Sequence, residues 1–183
     1  MIIEKQKIPD ILLLKSIVHN DERGYFIEVF RQSIFDNIGR KIKFVQDNIV
    51  YTKNSGIIRG LHYQLSKPQG KLIHVISGEI LDVAVDIRQG SPYFGQYINI
   101  NLSSEKNEIL FIPEGFAHGY LVMKPNTILQ YKCTNYYHPE SEYGIIWNDS
   151  DINISWGISD PDLSKKDSEL PTLKDQKYLP SFK

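Results

Sequence analysis

The sequence predicts an all-β domain, because strand-like alternation and frequent turn signals run through its centre. In the segment LDVAVDI, residues 81–87, large apolar residues alternate with two aspartates and one alanine. In YININL, residues 97–102, isoleucine and leucine alternate with asparagine. Period-two patterns of this kind mark strands with two unlike faces. Short strands with frequent turns indicate a β-sandwich or a β-barrel, and 183 residues suggest one domain covering 1–183.

Turn signals occur at five places between the expected strands: Asn54–Gly56, Pro68–Gly70, Ser77–Gly78, Gly90–Pro92 and Pro113–Gly115. Glycine adopts positive φ without steric cost and proline presets its own φ, so each cluster predicts a chain reversal.

Two stretches have helical character instead. The first carries four apolar residues at helical spacing: Phe30, Ile34, Phe35 and Ile38. Gly39 follows them and can end a short helix. The second is a possible helical turn at 162–167, within a polar, proline-rich tail that begins after Trp156. We expect this tail to pack over the barrel.

Composition and charge exclude several classes of protein. The net charge of −1 argues against general binding of nucleic acid or anionic membrane, but it allows a local basic cluster around a small anion. The single cysteine, Cys133, permits no intramolecular disulfide and fits a reducing cytoplasm. The apolar run Ile11–Leu14 is too short for a signal-peptide core or a membrane span. We therefore expect a soluble, cytoplasmic protein.

The segment RGLHYQ, followed by QGKL, is the richest in chemistry-bearing residues. In a strand, His62 and Gln64 share one face, and Arg59 falls on the other unless Gly60 opens a bulge. A lone histidine in a strand can be structural. The cations of Arg59 and Lys71 nearby instead favour an anionic ligand.

Two further segments are open to both a structural and a functional interpretation. In PEGFAHGY, His118 stands between small residues that leave room for a ligand near the backbone, or it is an ordinary loop histidine. The segment Asp21–Glu28 is a ligand-binding turn or a solvated hairpin.

Two strands with histidines also raise the hypothesis of a metal-dependent cupin enzyme. Such a site typically needs a His-x-His pair with a nearby glutamate. Gln64 stands where the second histidine would fall, and the Lys71 ammonium would repel a dication. The chain also has no Walker loop and no dinucleotide fingerprint. We therefore predict no metal and no cofactor.

Eight sequence blocks, in order, resemble those of the dTDP-4-dehydrorhamnose 3,5-epimerase family. They are DERG (21–24), FVQDN (44–48), RGLHYQ (59–64), QGKL (69–72), DVAVDIR (82–88), PEGFAHG (113–119), YGIIWND (143–149) and LSKKD (163–167). One departure is Gly157, where the family more often has proline. The resemblance implies a double-stranded β-helix (cupin-type) barrel, a homodimer without cofactor, and a dTDP-sugar substrate. The implied substrate is dTDP-4-dehydro-6-deoxy-glucose, and the product would enter dTDP-L-rhamnose biosynthesis.

The resemblance also assigns roles by motif position. His62 would be the general base, Asp167 its orienting partner, and Tyr131 the general acid on the opposite face of the sugar. Lys71 would lie near the C4 carbonyl. Eight positions would bind the nucleotide sugar, some of them from the partner subunit: Arg23, Glu28, Gln46, Asn48, Arg59, His118, Glu142 and Lys166. Apart from the motif match, the aromatic side chain of Phe26 suits stacking on the thymine base, although core packing explains it equally well.

These residue types suit an epimerisation next to a ketone. A 4-keto group acidifies the C–H bonds at C3 and C5, so that a base on one face and an acid on the other can invert either centre. Histidine is partly neutral near pH 7, tyrosine stays protonated, and lysine can stabilise an enolate. Three alternatives stay open: an epimerase acting at one centre only, a metal-dependent cupin enzyme, and a non-catalytic sugar-nucleotide-binding module.

Overall fold

A computed structural model of the chain describes residues 1–39 and 41–182. Its strands are β1 (Ile2–Lys5), β2 (Leu12–Lys15), β3 (Val18–Asp21), β4 (Gly24–Ile27), β5 (Gln46–Thr52), β6 (Ile58–Gln64), β7 (Lys71–Ser77), β8 (Glu79–Asp86), β9 (Tyr97–Ser103), β10 (Glu108–Ile112), β11 (Phe116–Val122), β12 (Thr127–Cys133) and β13 (Glu142–Gly144). The short helices are α1 (Gln32–Asn37) and α2 (Lys165–Ser168), and a 3₁₀ turn covers Pro139–Ser141.

Two larger antiparallel sheets face each other and form the barrel. One has the strand order β1-β2-β10-β7-β12-β5, and the other has the order β13-β6-β11-β8-β9. Residues from both sheets form the core between them, for example Ile73 and Leu129 from the first sheet and Ile80 and Val122 from the second. The prediction of an all-β, cupin-type barrel with a few short helices is therefore confirmed. Strands β3 and β4 form a separate hairpin.

Strand β8 has the two unlike faces that its alternation predicts, but both faces are buried. Val83 and Val85 point away from the barrel interior and pack in a second core that includes Trp156 of the tail. The opposite face carries Asp82 and Asp86, whose exposed fraction is 0%. The expectation that the tail packs over the barrel is confirmed, and this cover turns the aspartate-bearing face inward.

A bulge in β6 brings Arg59 and His62 to the same side of the sheet. His62 pairs with His118, but Arg59 pairs with Tyr120, so that two residues of β6 oppose one residue of β11. At the bulge Gly60 has a φ of 104°, and a Cβ there would lie 2.6 Å from the carbonyl oxygen of His118. Only glycine can adopt this positive φ and leave room for the carbonyl oxygen without strain.

Both short helices lie close to their predicted positions. Helix α1 ends before Gly39, whose φ is 74° and whose N–H donates to the carbonyl of Asp36 at 3.0 Å. Phe35 of this helix packs against Phe111 on the outer face of the six-stranded sheet. Helix α2 begins later than the predicted turn, because the Ser164 hydroxyl caps it.

Candidate active site

A cavity of about 460 Å³ opens between the two sheets and is the meeting point of residues far apart in the sequence. Seven of the predicted site residues line it: Arg59, His62, Lys71, His118, Tyr131, Lys166 and Asp167. Val50, Ile57 and Leu163 add an apolar part to its wall. A mixed lining with a few convergent polar groups is typical of a small-molecule site.

His62 and Asp167 form a hydrogen-bonded pair on the five-stranded side of the cavity. The Nε2 atom of His62 lies 2.7 Å from Oδ1 of Asp167. Burial raises the pKa of Asp167, but its bonds to His62, the Gly60 N–H and Ser164 outweigh burial and lower the pKa below its usual value. An ionised Asp167 accepts a hydrogen bond from Nε2–H of His62, so Nδ1 of His62 keeps its lone pair and can take up a proton.

The Tyr131 phenol faces the cavity from the opposite sheet. It lies on β12, whereas His62 lies on β6, and both line the same space. Burial raises the pKa of Tyr131, so its hydroxyl stays protonated at neutral pH. A base and a protonated donor therefore stand on two sides of one cavity.

Lys71 enters the same space from the neighbouring strand β7. Its Nζ lies 6.0 Å from the centre of the Tyr131 ring and 3.4 Å from Nδ1 of His118. Burial lowers the pKa of this ammonium, while the nearby Cys133, Asp82 and Glu142 act in the opposite direction. The ammonium is thus a partly desolvated positive charge beside the proton donor.

An ion pair between Glu142 and Lys166 lies at the side of the site. The Tyr137 hydroxyl also donates to Glu142, at 2.9 Å. Burial raises the pKa of Glu142, but both bonds lower it, and the net effect is a lowered pKa. Glu142 also borders a small adjoining space next to His62 and Lys71.

Gln46 and Asn48 lie beside this site on strand β5. Their side chains share a face of the strand with Val50, which lines the cavity. The Gln46 amide donates to Oδ1 of Asn48 at 2.9 Å, and Asn48 pairs with Tyr131 in the sheet register. Both amides are therefore neighbours of the predicted acid.

Six of the predicted residues do not line this cavity. Gln46, Asn48 and Glu142 lie beside it, whereas Arg23, Phe26 and Glu28 lie in another part of the chain. These three lie in or directly after the β3–β4 hairpin. Arg23 is 84% exposed and pairs with Asp21 at 2.6 Å, and Glu28 pairs with Arg31 at 2.6 Å. Phe26 is 69% exposed, so the core-packing interpretation of this residue is wrong for the isolated chain.

Sequence reasoning missed three residues of the site. Asp82 is fully buried and accepts from Nε2 of His118 at 2.9 and 3.1 Å. The sequence did contain a signal for Asp82, because its alternation with Val83 and Val85 places it on the strand face that also carries Asp86. Tyr120 lines the cavity and shares the face of His118, as their spacing of two predicts. Ser164 precedes Asp167 by three residues, the spacing of an N-cap.

Within residues 1–39 and 41–182, no group of three or more His, Cys, Asp or Glu side chains is arranged to hold a metal ion. No helix in this part of the chain is long and apolar enough to cross a membrane.

Sequence comparisons agree over nearly the full chain. A family model described as dTDP-4-dehydrorhamnose 3,5-epimerase matches residues 5–175. The chain is 50% identical to the dTDP-4-dehydrorhamnose 3,5-epimerase of Salmonella typhimurium over 182 residues, which covers 98% of each protein. It is 45% identical to the enzyme of that name from Methanothermobacter thermautotrophicus, over 93% of this chain and 94% of the relative.

Two solved structures have the same fold as this chain, and each contains a bound dTDP-sugar. The dTDP-6-deoxy-D-glucose-3,5-epimerase of Legionella pneumophila, in complex with dTDP-4-keto-L-rhamnose, has a TM-score of 0.95 and 41% identity, over 99% of this chain and 98% of that one. A 3'-monoepimerase of Streptomyces bikiniensis, in complex with dTDP-quinovose, has a TM-score of 0.90 and 29% identity, over 97% and 92%.

Proposed function

Because the chain belongs to the dTDP-4-dehydrorhamnose 3,5-epimerase family and is an isomerase, we propose that the cavity inverts C3 and C5 of dTDP-4-dehydro-6-deoxy-D-glucose through an enolate. The product of this double inversion is dTDP-4-dehydro-L-rhamnose, a precursor for dTDP-L-rhamnose biosynthesis. The observation that supports the mechanism is the opposition of the His62–Asp167 pair and the Tyr131 phenol across one cavity.

His62 removes the proton. Its Nδ1 lone pair is free to accept, because Nε2–H is held by Asp167 at 2.7 Å. The carboxylate of Asp167 then stabilises the imidazolium that forms. Proton transfer by a positioned group of this kind contributes on the order of 10²–10⁴-fold to the rate.

Lys71 stabilises the enolate that follows. The electrons of the broken C–H bond move onto the C4 oxygen, where a negative charge develops. A partly buried ammonium acts strongly on such a charge, because little water screens it.

Tyr131 delivers a proton to the other face of the same carbon. Its raised pKa keeps the hydroxyl protonated until the enolate has formed and accepts the proton. Proton exchange with water then returns His62 to its neutral form and Tyr131 to its phenol, and the two steps, repeated at the second carbon, give the double inversion. Arg59 and Lys166, at the same cavity, supply positive charge for the diphosphate.

Deuterium exchange tests the proposal. We expect chelator-treated enzyme in D₂O to incorporate deuterium at C3 and C5 of dTDP-4-dehydro-6-deoxy-D-glucose, as followed by NMR and mass. His62→Ala should abolish exchange at both carbons. Exchange at one carbon only would keep the mechanism and assign a single-centre epimerase, the activity of the Streptomyces bikiniensis relative. No exchange by folded enzyme would refute the proposal.

A second subunit completes the site in this proposal. The β3–β4 hairpin exposes Tyr25 and Phe26, at 59% and 69%, and the adjacent Arg23. An exposed aromatic pair is unusual for a surface that faces only water. We place this hairpin at the cavity of a partner in a homodimer, with Arg23 and Glu28 near the nucleotide and Phe26 on its base. The cytoplasm, which suits the single buried Cys133, is the proposed compartment.

Mixed dimers test the shared site. Arg23→Ala and His62→Ala should each be weakly active or inactive alone. Unfolding and refolding the two variants together should restore activity, because one site of each mixed dimer then has an intact His62 and an intact Arg23. Refolding each variant separately is the control. If the mixture were no more active than the separate samples, Arg23 would act within its own subunit or not at all.

A further inference from the structure

A second histidine–aspartate pair lies in the barrel, and its histidine contacts a lysine. The Nε2 atom of His118 lies 2.9 and 3.1 Å from the two oxygens of Asp82. Its Nδ1 atom lies 3.4 Å from Nζ of Lys71. Asp82 on β8, His118 on β11 and Lys71 on β7 therefore form a line of hydrogen bonds that ends at the cavity.

Burial determines which way the hydrogen bonds in this line must run. Asp82 has an exposed fraction of 0% and His118 of 7%, so each depends mainly on protein partners. An ionised carboxylate only accepts, so Nε2 of His118 must donate to Asp82. An ammonium only donates, so Nδ1 of His118 must accept from Lys71. While Lys71 is charged, only the neutral imidazole protonated at Nε2 meets both requirements.

We propose that Asp82 is a positioning residue that holds His118 in its Nε2–H tautomer, so that Nδ1 accepts from Lys71 and fixes the ammonium at the cavity wall. This inference rests on the proposed function only for its consequence, which is the stabilisation of the enolate by Lys71. The tautomer itself can be tested without substrate.

The charges around the line agree with this arrangement. Burial lowers the pKa of His118 and the Lys71 charge lowers it further, whereas Asp82 raises it, and the net effect favours the neutral ring. The other titratable groups that influence Lys71 and His118 are Cys133, Glu142 and His62, and the Tyr131 ring lies near the ammonium. Asp82 is the one that also bonds directly to the ring of His118.

Replacing Asp82 with asparagine would remove this control at nearly constant volume. The amide can donate through its NH₂ group, so Nε2 of His118 can become the acceptor and Nδ1 the donor. A donor at Nδ1 then faces the donor Lys71, and the compensating negative charge is gone. Both effects destabilise the charged form of Lys71 and lower its pKa.

Nitrogen-15 NMR of the substrate-free enzyme reads the tautomer directly. The chain has five histidines, and the His118 signals are those lost in His118→Gln. If that variant does not fold, single substitutions of the other four assign them. We expect the neutral Nε2–H pattern in the wild-type protein and loss of that pattern in Asp82→Asn.

Kinetics supply the second readout. We expect Asp82→Asn to lower kcat on the order of 10²–10³-fold, the loss that follows removal of one oxyanion donor, with a much smaller change in KM. In the plot of kcat against pH, the alkaline limb should move to lower pH, because Lys71 then loses its proton more readily. A purely structural role would lower stability without moving this limb.

Asp86→Asn is the matched control. Asp86 lies on the same strand and is equally buried, but it bonds to Arg88 and Ser91 and does not contact His118. This variant should lower thermal stability and keep both the tautomer and the alkaline limb.

A doubly protonated or Nδ1–H His118 in the wild-type protein would overturn the proposal. So would an unchanged tautomer and pH profile in Asp82→Asn. Failure of the proposed function would appear instead as absent deuterium exchange in a wild-type enzyme that has the expected tautomer.

Discussion

At the scale of single residues, the site depends on what burial does to different ionisable groups. Burial disfavours whichever form is charged, so it raises the pKa of Tyr131 and lowers that of Lys71. The tyrosine is thereby kept as a proton donor. At the lysine, the nearby Cys133, Asp82 and Glu142 oppose this effect of burial.

Removing only the Tyr131 hydroxyl should separate proton removal from inversion. In Tyr131→Phe, His62 can still take a proton and return it to the same face. We therefore expect product formation to fall on the order of 10²–10⁴-fold, while deuterium incorporation into recovered substrate falls much less. The measurement is the ratio of the two rates in D₂O.

Tyr136→Phe is the control for this experiment, since Tyr136 is 66% exposed and does not line the cavity. Both of its rates should match the wild type. Equal losses of exchange and product in Tyr131→Phe would show that the phenol also takes part in proton removal.

At the scale of elements, the bulge in β6 decides which side chains can act together. Regular alternation would place Arg59 and His62 on opposite faces of the sheet. Gly60 adds one residue to the strand, and the register shift against β11 turns Arg59 to the cavity side of the sheet. The bulge at Gly60 thus puts the positive charge of Arg59 and the base His62 on the same side of the sheet.

Gly60→Ala should cost both stability and activity. The new Cβ would lie 2.6 Å from a backbone oxygen, at a φ of 104°. We expect the free energy of unfolding to fall by more than about 2 kcal/mol, since strain and a backbone clash combine. Denaturant unfolding and steady-state kinetics measure the two losses.

Gly90→Ala separates strain from the clash. Gly90 has a φ of 86°, but a Cβ there would meet no atom within 4 Å. It should lose only about 1 kcal/mol and keep full activity. If both variants lost the same stability and neither lost activity, the bulge would not be what aligns the site.

At the scale of the whole molecule, two cores share the five-stranded sheet. The barrel interior covers one face, and the C-terminal tail covers the other through residues such as Trp156 and Leu173. The tail also carries Asp167, which meets His62 across 105 residues of sequence. The base is therefore complete only when the tail is packed on the sheet.

Buried neutral histidines should make the folded molecule sensitive to acid. Burial lowers the pKa of His74, and its Nε2 has no hydrogen-bond partner among the described residues. The unfolded chain binds a proton near pH 6.5, but the folded chain resists it. The contribution to stability is complete above this pH and is lost as the pH falls below it.

His74→Gln should therefore flatten the pH dependence of the unfolding free energy, as measured by urea denaturation between about pH 7.5 and pH 5.5. The wild-type protein, measured in the same buffers, is the reference. The same slope in both proteins would mean that burial of His74 does not change its protonation on folding.

By itself the sequence determined the all-β class, the strands around LDVAVDI and YININL, the turns, helix α1 and the family, because these depend on local alternation, backbone preferences and motif order. The residues near the base were also predictable from their motifs. Only the tertiary structure decided that the aspartate-bearing face of β8 points inward, that Asp82 holds His118, and that Arg23 and Phe26 lie away from the cavity of their own chain. A period-two pattern specifies which residues share a face, but not which layer covers that face. That choice is made by long-range packing, here by the tail that buries the valine face and leaves the aspartates to the interior.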